Sequence, residues 1–405
     1  MLQHLSPDVR QYLLVTGNYW AFTLTDGALR MLVVLHFHQL GYSPLQVALL
    51  FLFYEIFGVI TNLVGGWLGA RIGLNRTMHI GLGLQVVALC MLLVPAAWLT
   101  LAWVMAAQAL SGVAKDLNKM SAKSSIKLLL PDDQQGALFR WVAALTGSKN
   151  ALKGVGFFLG GALLTLVGFA PAIASMAAML ALVWLLSLLL MRGDFGKAST
   201  APKFRQVFSM SRAINRLSAA RMFLFGARDV WFVVALPVFL SDVLRWDFWQ
   251  VGGFMATWVI GYGLVQGLAP YFTSRRGAPV PDGRAALAWA SVLAFVPALM
   301  AWLLVTGQDP QTVVIVGLAI FGVLFAINSS LHSYLIVSYA GRDGVSLDVG
   351  FYYMANAMGR LLGTLLSGWV YQGWGLAACL AVSALLIGMA ALVSTRLPRR
   401  VSTAQ

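Results

Sequence analysis

Lys115 and Lys119 stand four residues apart in SGVAKDLNKMSAKSS, and Lys149 and Lys153 repeat that spacing in TGSKNALKGVGFF. A four-residue step puts each pair on one helix face. Both stretches sit in a chain otherwise built for lipid. A lysine at the centre of a membrane helix costs at least ~2.5–3.5 kcal/mol, so it is rare there and marks function by default. Four such ammonium groups call for a negative partner, and the chemistry they offer is the binding of an anionic substrate.

Other charges fall inside apolar stretches. They are Asp26 and Arg30, Glu55, then Asp116 and Lys123, then Arg140, then Arg221, Arg228 and Asp229, then Asp348 and Arg360. Cations outnumber anions, whereas fully paired structural bridges would give near-equal numbers. The surplus argues for a cavity that accepts a multiply charged anion. Arg30 and Arg228 occupy similar places in two weakly similar segments, TDGALRMLVV and FGARDVWFVV. They are expected to clamp a phosphate through the guanidinium fork, the alternative being structural pairing with Asp26 and Asp229. Arg360 joins the expected binding set. His332, in INSSLHSYLIVS beside Asn328 and Ser329, either donates to a substrate hydroxyl or carboxylate or is satisfied by neighbours. Asp26, Glu55, Asp116 and Asp229 either balance the cations, since an unpaired buried charge is expensive, or one carries a coupling proton. Arginine cannot do so, because it does not deprotonate.

The two lysine pairs lie on consecutive helices that turn near Pro131–Gln135. Reflection about Gln134 brings Lys149 level with Lys119 and Lys153 level with Lys115. At 1.5 Å per residue that layer lies roughly 22–30 Å from the turn. Lys123 and Lys127 lie nearer the helix end, where long side chains reach the membrane surface, and Arg140 is expected at the interface too. His36 and His38, two apart, fall on different faces and are not a metal pair. Cys90 and Cys379 read as small buried hydrophobes. No nucleophile–base arrangement, phosphate-cradling loop or metal-spaced helix is present, so neither an enzyme nor a cofactor is expected.

The elements that must position these groups follow from composition. The chain has 405 residues, 60% hydrophobic and 10% charged, with a net charge of +14 and mean hydropathy +0.80. Soluble domains carry about 25% charged residues, so this is an integral membrane protein. Runs that reach the ~20 residues of a membrane crossing divide it at 13–40, 44–69, 77–94, 98–127, 137–167, 172–191, 216–241, 249–273, 285–306, 311–339, 346–371 and 375–395. Alternate loops hold Arg71 and Arg76; Arg192, Lys197, Lys203, Arg205 and Arg212; Arg275, Arg276 and Arg284; and Arg342. The opposite loops are nearly bare, apart from Arg245 beside Asp242 and Asp247. Basic loops stay inside, which places both termini in the cytoplasm. An uncleaved start is expected, because no basic n-region and cleavage site precede the first span. Trp98, Trp103, Trp246 and Trp249 form the expected outer aromatic belt.

A basic segment, 192–215, separates six spans, 1–191, from six more, 216–405. The halves echo each other in the pair above and in SKNALKGVGFFLGG against YMANAMGRLLGTLLSG. Parallel repeats with a midplane site between them resemble the major facilitator design. GGWLGARIGLNR, at Gly65–Arg76, resembles that family's signature loop G-x-x-x-D-R-x-G-R-R: Gly66, Arg71 and Gly73 match in register and Arg76 falls near the second basic position. Ala70 takes the acidic place, which removes the usual charge relay. The expected fold is an all-α membrane protein with twelve transmembrane helices in two six-helix pseudo-symmetric bundles.

NYWAFTLTDGALRMLVVLHFHQLGY, LFYEIFGVITNLVGGWLGARIGLNRT, KDLNKMSAKSSIKLLLP and LTGSKNALKGVGFFLGG go further. The chain resembles the ArsJ-type organoarsenical efflux permeases over essentially all its length. That resemblance implies export of 1-arseno-3-phosphoglycerate, made by a glyceraldehyde-3-phosphate dehydrogenase that uses arsenate in place of phosphate and acts as a functional partner. It also implies an inner-membrane location and, as the product hydrolyses outside, arsenate resistance; a monomer is expected. The lysines would take one anionic end and Arg30 with Arg228 the other, and oxygen-ligated pentavalent arsenic needs no cysteines. Without the resemblance, the residues leave open an organophosphate/phosphate exchanger or another organic-anion transporter, a multidrug–proton antiporter, and a non-transporting membrane sensor.

Overall fold

The computed structural model describes residues 7–42, 50, 52–191, 195–200, 211–273 and 280–399. Arg192, Lys203, Arg205, Arg275 and Arg276 lie outside the described residues, as does most of the expected linker; so do the side chains of Glu55 and His38. Among the described residues the chain is all helical. The helices are α1 (Pro7–Gln39), α2 (Leu52–Ile72), α3 (Leu74–Met91), α4 (Leu101–Leu129), α5 (Gln135–Val167), α6 (Phe169–Leu190), α7 (Arg212–Phe232), α8 (Ala235–Asp242), α9 (Phe248–Thr273), α10 (Gly283–Val305), α11 (Pro310–Tyr339) and α12 (Val345–Ser394).

Among the described residues, seven helical stretches are long and apolar enough to cross a membrane: α5, α6, Arg212–Asp242, Trp249–Thr273, α10, α11 and α12. The charges of α1 and α4 dilute the hydropathy of those two long helices. α12 holds two helices divided at Gly375, whose φ of 75° and ψ of −171° are non-helical. The α7/α8 break has a local cause. Pro237 lies in the first turn of α8 and has no N–H to give to the helix before it. The freed Ala235 N–H is taken by the Ser367 hydroxyl at 3.1 Å. Large apolar side chains such as Leu166, Phe295, Val305 and Leu385 are exposed, as a lipid-facing surface requires.

The chain forms two compact units. One comprises Met1–Pro131, Ser148–Phe208 and Ala340–Met354; the other comprises Asp132–Gly147, Ser209–Tyr339 and Ala355–Gln405. In the first unit α1, α2 and α3 pack on α4, and α6 packs on α1 and α3; in the second, α7, α9 and α10 meet α11 and α12.

Helices in lipid gain nothing from mutual hydrophobicity and associate through small residues instead. α1 meets α5 in this way. A Cβ on Gly27 would stand 2.7 Å from the Lys153 carbonyl oxygen, one on Gly156 would stand 2.7 Å from that of Leu24, and Gly160 touches Ala28. α7 meets α12 through the same device: a Cβ on Gly363 would stand 2.6 Å from the Gly226 oxygen, and Gly359 lies on Met222. The echoing segments of the sequence are the ones that make these contacts.

The signature loop is fastened within the first unit. Ser346 Oγ donates to the Gly66 carbonyl at 2.7 Å, and a Cβ on Gly350 would stand 2.9 Å from Gly66 Cα. Gly73 caps α3 with a φ of 97°, a conformation that only glycine adopts cheaply. Arg71 covers the Trp67 ring at 5.0 Å. Residues 195–199 run along this loop as a strap. Ala198 N–H donates to the Ala70 carbonyl at 2.8 Å and Leu74 N–H to the Phe195 carbonyl at 2.7 Å. Ser199 then donates from its amide and its hydroxyl to Asp343, at 2.8 and 2.6 Å. Next to Asp343, Arg342 donates to the Leu130 and Leu128 carbonyls that end α4. One expectation is corrected: Lys123 and Lys127 are buried, at 3% and 5% exposure, and do not reach outward.

Two outcomes follow. Backbone packed on backbone cannot yield, so Gly160→Val should lose more than the ~1–3 kcal/mol of ordinary overpacking and lower the Tm of purified protein. Gly161→Ala, whose nearest neighbour is a Leu35 methyl at 3.7 Å, should leave it unchanged. The Ser199 hydroxyl and then its amide hold the Asp343 carboxyl below its ordinary value. The strap contact should therefore be complete above the usual aspartate value of about 3.9 and loosen only as pH falls through the depressed native value. Protection of the Ser199 amide, measured against its intrinsic exchange rate, should fall over that descent, and be low at all pH values in Asp343→Asn.

Candidate functional site

In the first unit the charges gather around the α1 turn that the glycines press against α5. Asp26, 6% exposed, accepts the Tyr54 hydroxyl on both oxygens, at 2.9 and 3.1 Å. The Tyr54 ring receives two cations: the Arg30 guanidinium at 4.8 Å and Lys115 Nζ at 3.7 Å from its centroid. Lys119 Nζ bonds the buried Asp116 at 2.6 Å and lies 4.7 Å from the Tyr353 ring. Cations on aromatic faces gain ~0.5–2 kcal/mol each, enough to hold them in place and less than a full counter-charge would supply.

Lys149 and Lys153 sit half-buried on α5. Lys149 Nζ donates to Asn150 at 3.2 Å, and Lys153 Nζ lies 5.9 Å from the Phe157 ring. The Lys153 backbone is the group that touches Gly27. Lys153 therefore meets α1 beside Asp26, whose partner Tyr54 carries Lys115.

In the second unit Asp229, fully buried, is the centre. Arg228 reaches its Oδ1 at 2.5 Å, and Arg360 Nε reaches its Oδ2 at 3.1 Å. Arg228 also lies 4.9 Å from the Phe225 ring. A single carboxylate thus holds two guanidinium groups just before the α7/α8 break, and interrupted helices of this kind line substrate and ion sites in transporters. His332 is almost fully buried at 1% exposure, within range of the charge on Arg221.

Sequence reasoning gave no role to two residues that these networks use. Tyr54 looked like one aromatic in the apolar run LFYEIFG. Arg221, 3% exposed, donates to Asn356 at 2.8 Å and to the Ser329 carbonyl and hydroxyl, and stacks on Phe225 at 3.8 Å. Gln266 donates to the same Ser329 hydroxyl. The available signal was a charge in a membrane helix, the criterion that selected Arg228.

Comparison with known proteins places this architecture. The chain is similar in structure to the human organic anion transporter MFSD10, with a TM-score of 0.76, 15% identity, and coverage of 96% of this chain and 100% of that one. A bacterial homologue of the iron transporter ferroportin, in an outward-facing state, gives 0.76 at 16% identity over 95% and 98%. The E. coli fucose:proton symporter FucP gives 0.73 at 12% identity over 98% and 100%. At these identities the likeness is one of fold. No functionally curated relative matches the sequence. Residues 13–347 match the Major Facilitator Superfamily, and the chain is a multi-pass membrane transporter belonging to that family.

Proposed function

We propose that the protein is a secondary active transporter that exports an organic multi-anion, 1-arseno-3-phosphoglycerate, by alternating access. One observation carries this: Arg30 and Lys115, on different helices, meet the same Tyr54 ring, which concentrates positive charge inside an apolar unit. Phosphate and arsenate oxygens form strong charge-assisted bonds with such groups. The sequence resemblance to ArsJ-type permeases supplies the particular substrate, a molecule with an anionic group at each end.

In this reading the lysines of α4 and α5 take one end and the basic set Arg30, Arg228 and Arg360 the other, with His332 as a donor. Asp229 balances charge; Asp26 and Asp116 either do the same or carry a proton. The twelve sequence spans cross the inner membrane in two six-helix bundles with both termini cytoplasmic, and the loop of Gly66, Arg71, Gly73 and Arg76 gates the cytoplasmic side. The protein works as a monomer downstream of a glyceraldehyde-3-phosphate dehydrogenase, and its export confers arsenate resistance.

Everted vesicles supplied with glyceraldehyde-3-phosphate, NAD, arsenate and that dehydrogenase should accumulate arsenic; with phosphate in place of arsenate, the phosphate analogue formed should accumulate more slowly than the arsenic does. Uptake of phosphate esters with no arsenic transport would replace this reading with organophosphate exchange. Lys149→Gln with Lys153→Gln should abolish accumulation while the protein still reaches the membrane, and normal arsenate resistance in that double variant would remove α5 from the site. Asp229→Asn would remove the buried negative charge that joins two partly buried guanidinium groups. It should cost about 3–5 kcal/mol, as broken buried pairs do, and depress the Tm more than Arg360→Gln, which leaves the Arg228–Asp229 pair.

A further inference from the structure

The polar residues of α11 exceed the partners they are given. Asn328, Ser329, His332 and Ser333 are each at most 1% exposed. Steps of four residues put Asn328 with His332 in one row of the helix and Ser329 with Ser333 in the next. Ser329 is bonded from α7 and α9, by Arg221 and Gln266. Both side-chain atoms of Asn328, Nδ1 of His332 and the Ser333 hydroxyl have no hydrogen-bond partner. The facing helix repeats the pattern. Arg221 meets Ser329, Phe225 meets Phe325 and Trp231 meets Phe321, so α7 and α11 run antiparallel in a steady register. One more turn of that register sets Ser218 opposite His332. Ser218 is 1% exposed, and its hydroxyl has no partner either. An unpaired buried polar group costs stability, and lipid supplies no bond in exchange. A seam that gathers such groups on both of its sides is built for a ligand that bonds them.

We infer that the α7/α11 seam, through Ser218, Asn328, His332 and Ser333, reads the uncharged part of the cargo: the hydroxyl and carbonyl oxygens between its anionic ends. This rests on the anion-transport reading and adds the groups that recognise the carbon backbone of a hydroxy-acid anion. The donor set decides the ligand class. An amide offers two donors and an acceptor, a serine hydroxyl is both donor and acceptor, and an imidazole nitrogen is one or the other. Such groups match a hydroxyl, which also gives and takes a bond. Amides and hydroxyls carry no charge to offset the desolvation of a phosphate, which the cationic residues are left to meet. Ser218 and His332 stand opposite each other and do not bond, so one ligand oxygen between them would satisfy both. The seam is closed in this structure, and the ligand enters as α7 and α11 part. Bonds made then replace none that the closed seam has, and that difference between the two states is what lets a ligand shift their balance.

Titration of full-length protein in nanodiscs with 3-phosphoglycerate and with 3-phosphooxypropionate, which lacks only the 2-hydroxyl, tests this. The wild-type protein should bind the hydroxylated anion about tenfold more tightly or better, since a site built around a hydroxyl is left unpaired by the analogue without it. Asn328→Leu and His332→Phe should each bring that ratio down to about threefold or less. The ratio compares two ligands on one protein, so a general loss of affinity cancels from it, and a merely structural role would leave it unmoved. If those variants do not fold, Ser218→Ala and Asn328→Ser, which remove fewer atoms, should still lower the ratio. Equal wild-type affinity for the two anions, or a wild-type ratio in every folded variant, overturns this inference and leaves the transport reading standing. A wild-type protein that binds neither anion overturns the transport reading, and this inference with it.

Discussion

Backbone lying directly on backbone is the contact on which the rest of this molecule depends. Hydrocarbon offers helices no reward for hiding leucines from it, so adhesion has to come from close packing. Glycines 27, 156 and 160 supply it between α1 and α5, and glycines 226, 359 and 363 between α7 and α12. The charged residues sit within a turn of these contacts: Asp26, Arg30 and Lys153 around the first, and Arg228, Asp229 and Arg360 around the second. That placement is economical. The tightest seams are also the most rigid, and long flexible side chains of lysine and arginine need rigid roots if their tips are to meet a ligand in a fixed arrangement.

The two charge clusters solve the problem of buried charge differently. Around Asp229 the solution is Coulombic: one carboxylate between two guanidinium groups. Around Tyr54 an aromatic face takes part, with two cations set against one ring and a carboxylate bonded to its hydroxyl.

Much of this was legible from the sequence. The apolar runs drawn at 137–167, 249–273 and 311–339 overlie α5, α9 and α11 to within two residues at each end, because hydropathy and turn residues are local signals. The glycine seams were visible as echoing segments, although their meaning was not. What escaped was non-local. Tyr54 gains its role only when α1 and α4 arrive beside it, and no spacing rule connects residues 26, 54 and 115. Lys123 and Lys127 were expected to reach outward because a helix end usually faces water. They are buried instead, on a helix whose end is met by Arg342, 212 residues from Leu130. The break after Phe232 was announced by Pro237, yet the hydropathy of the whole stretch reads straight through it.

The strap along the signature loop has a further consequence. Where the family pattern places an acid, this chain has Ala70 and uses its carbonyl oxygen to receive the Ala198 amide. A peptide oxygen carries no net charge and no exchangeable proton in the accessible range. Dissolved ions, which screen exposed charges within about 10 Å at ordinary ionic strength, have little purchase on it. The opposite end of the strap is held by an exposed carboxylate on Asp343. One end is therefore insulated from the medium and the other listens to it, so a change in the surrounding electrolyte would peel the strap from the Ser199 end while Ala198 stays fastened.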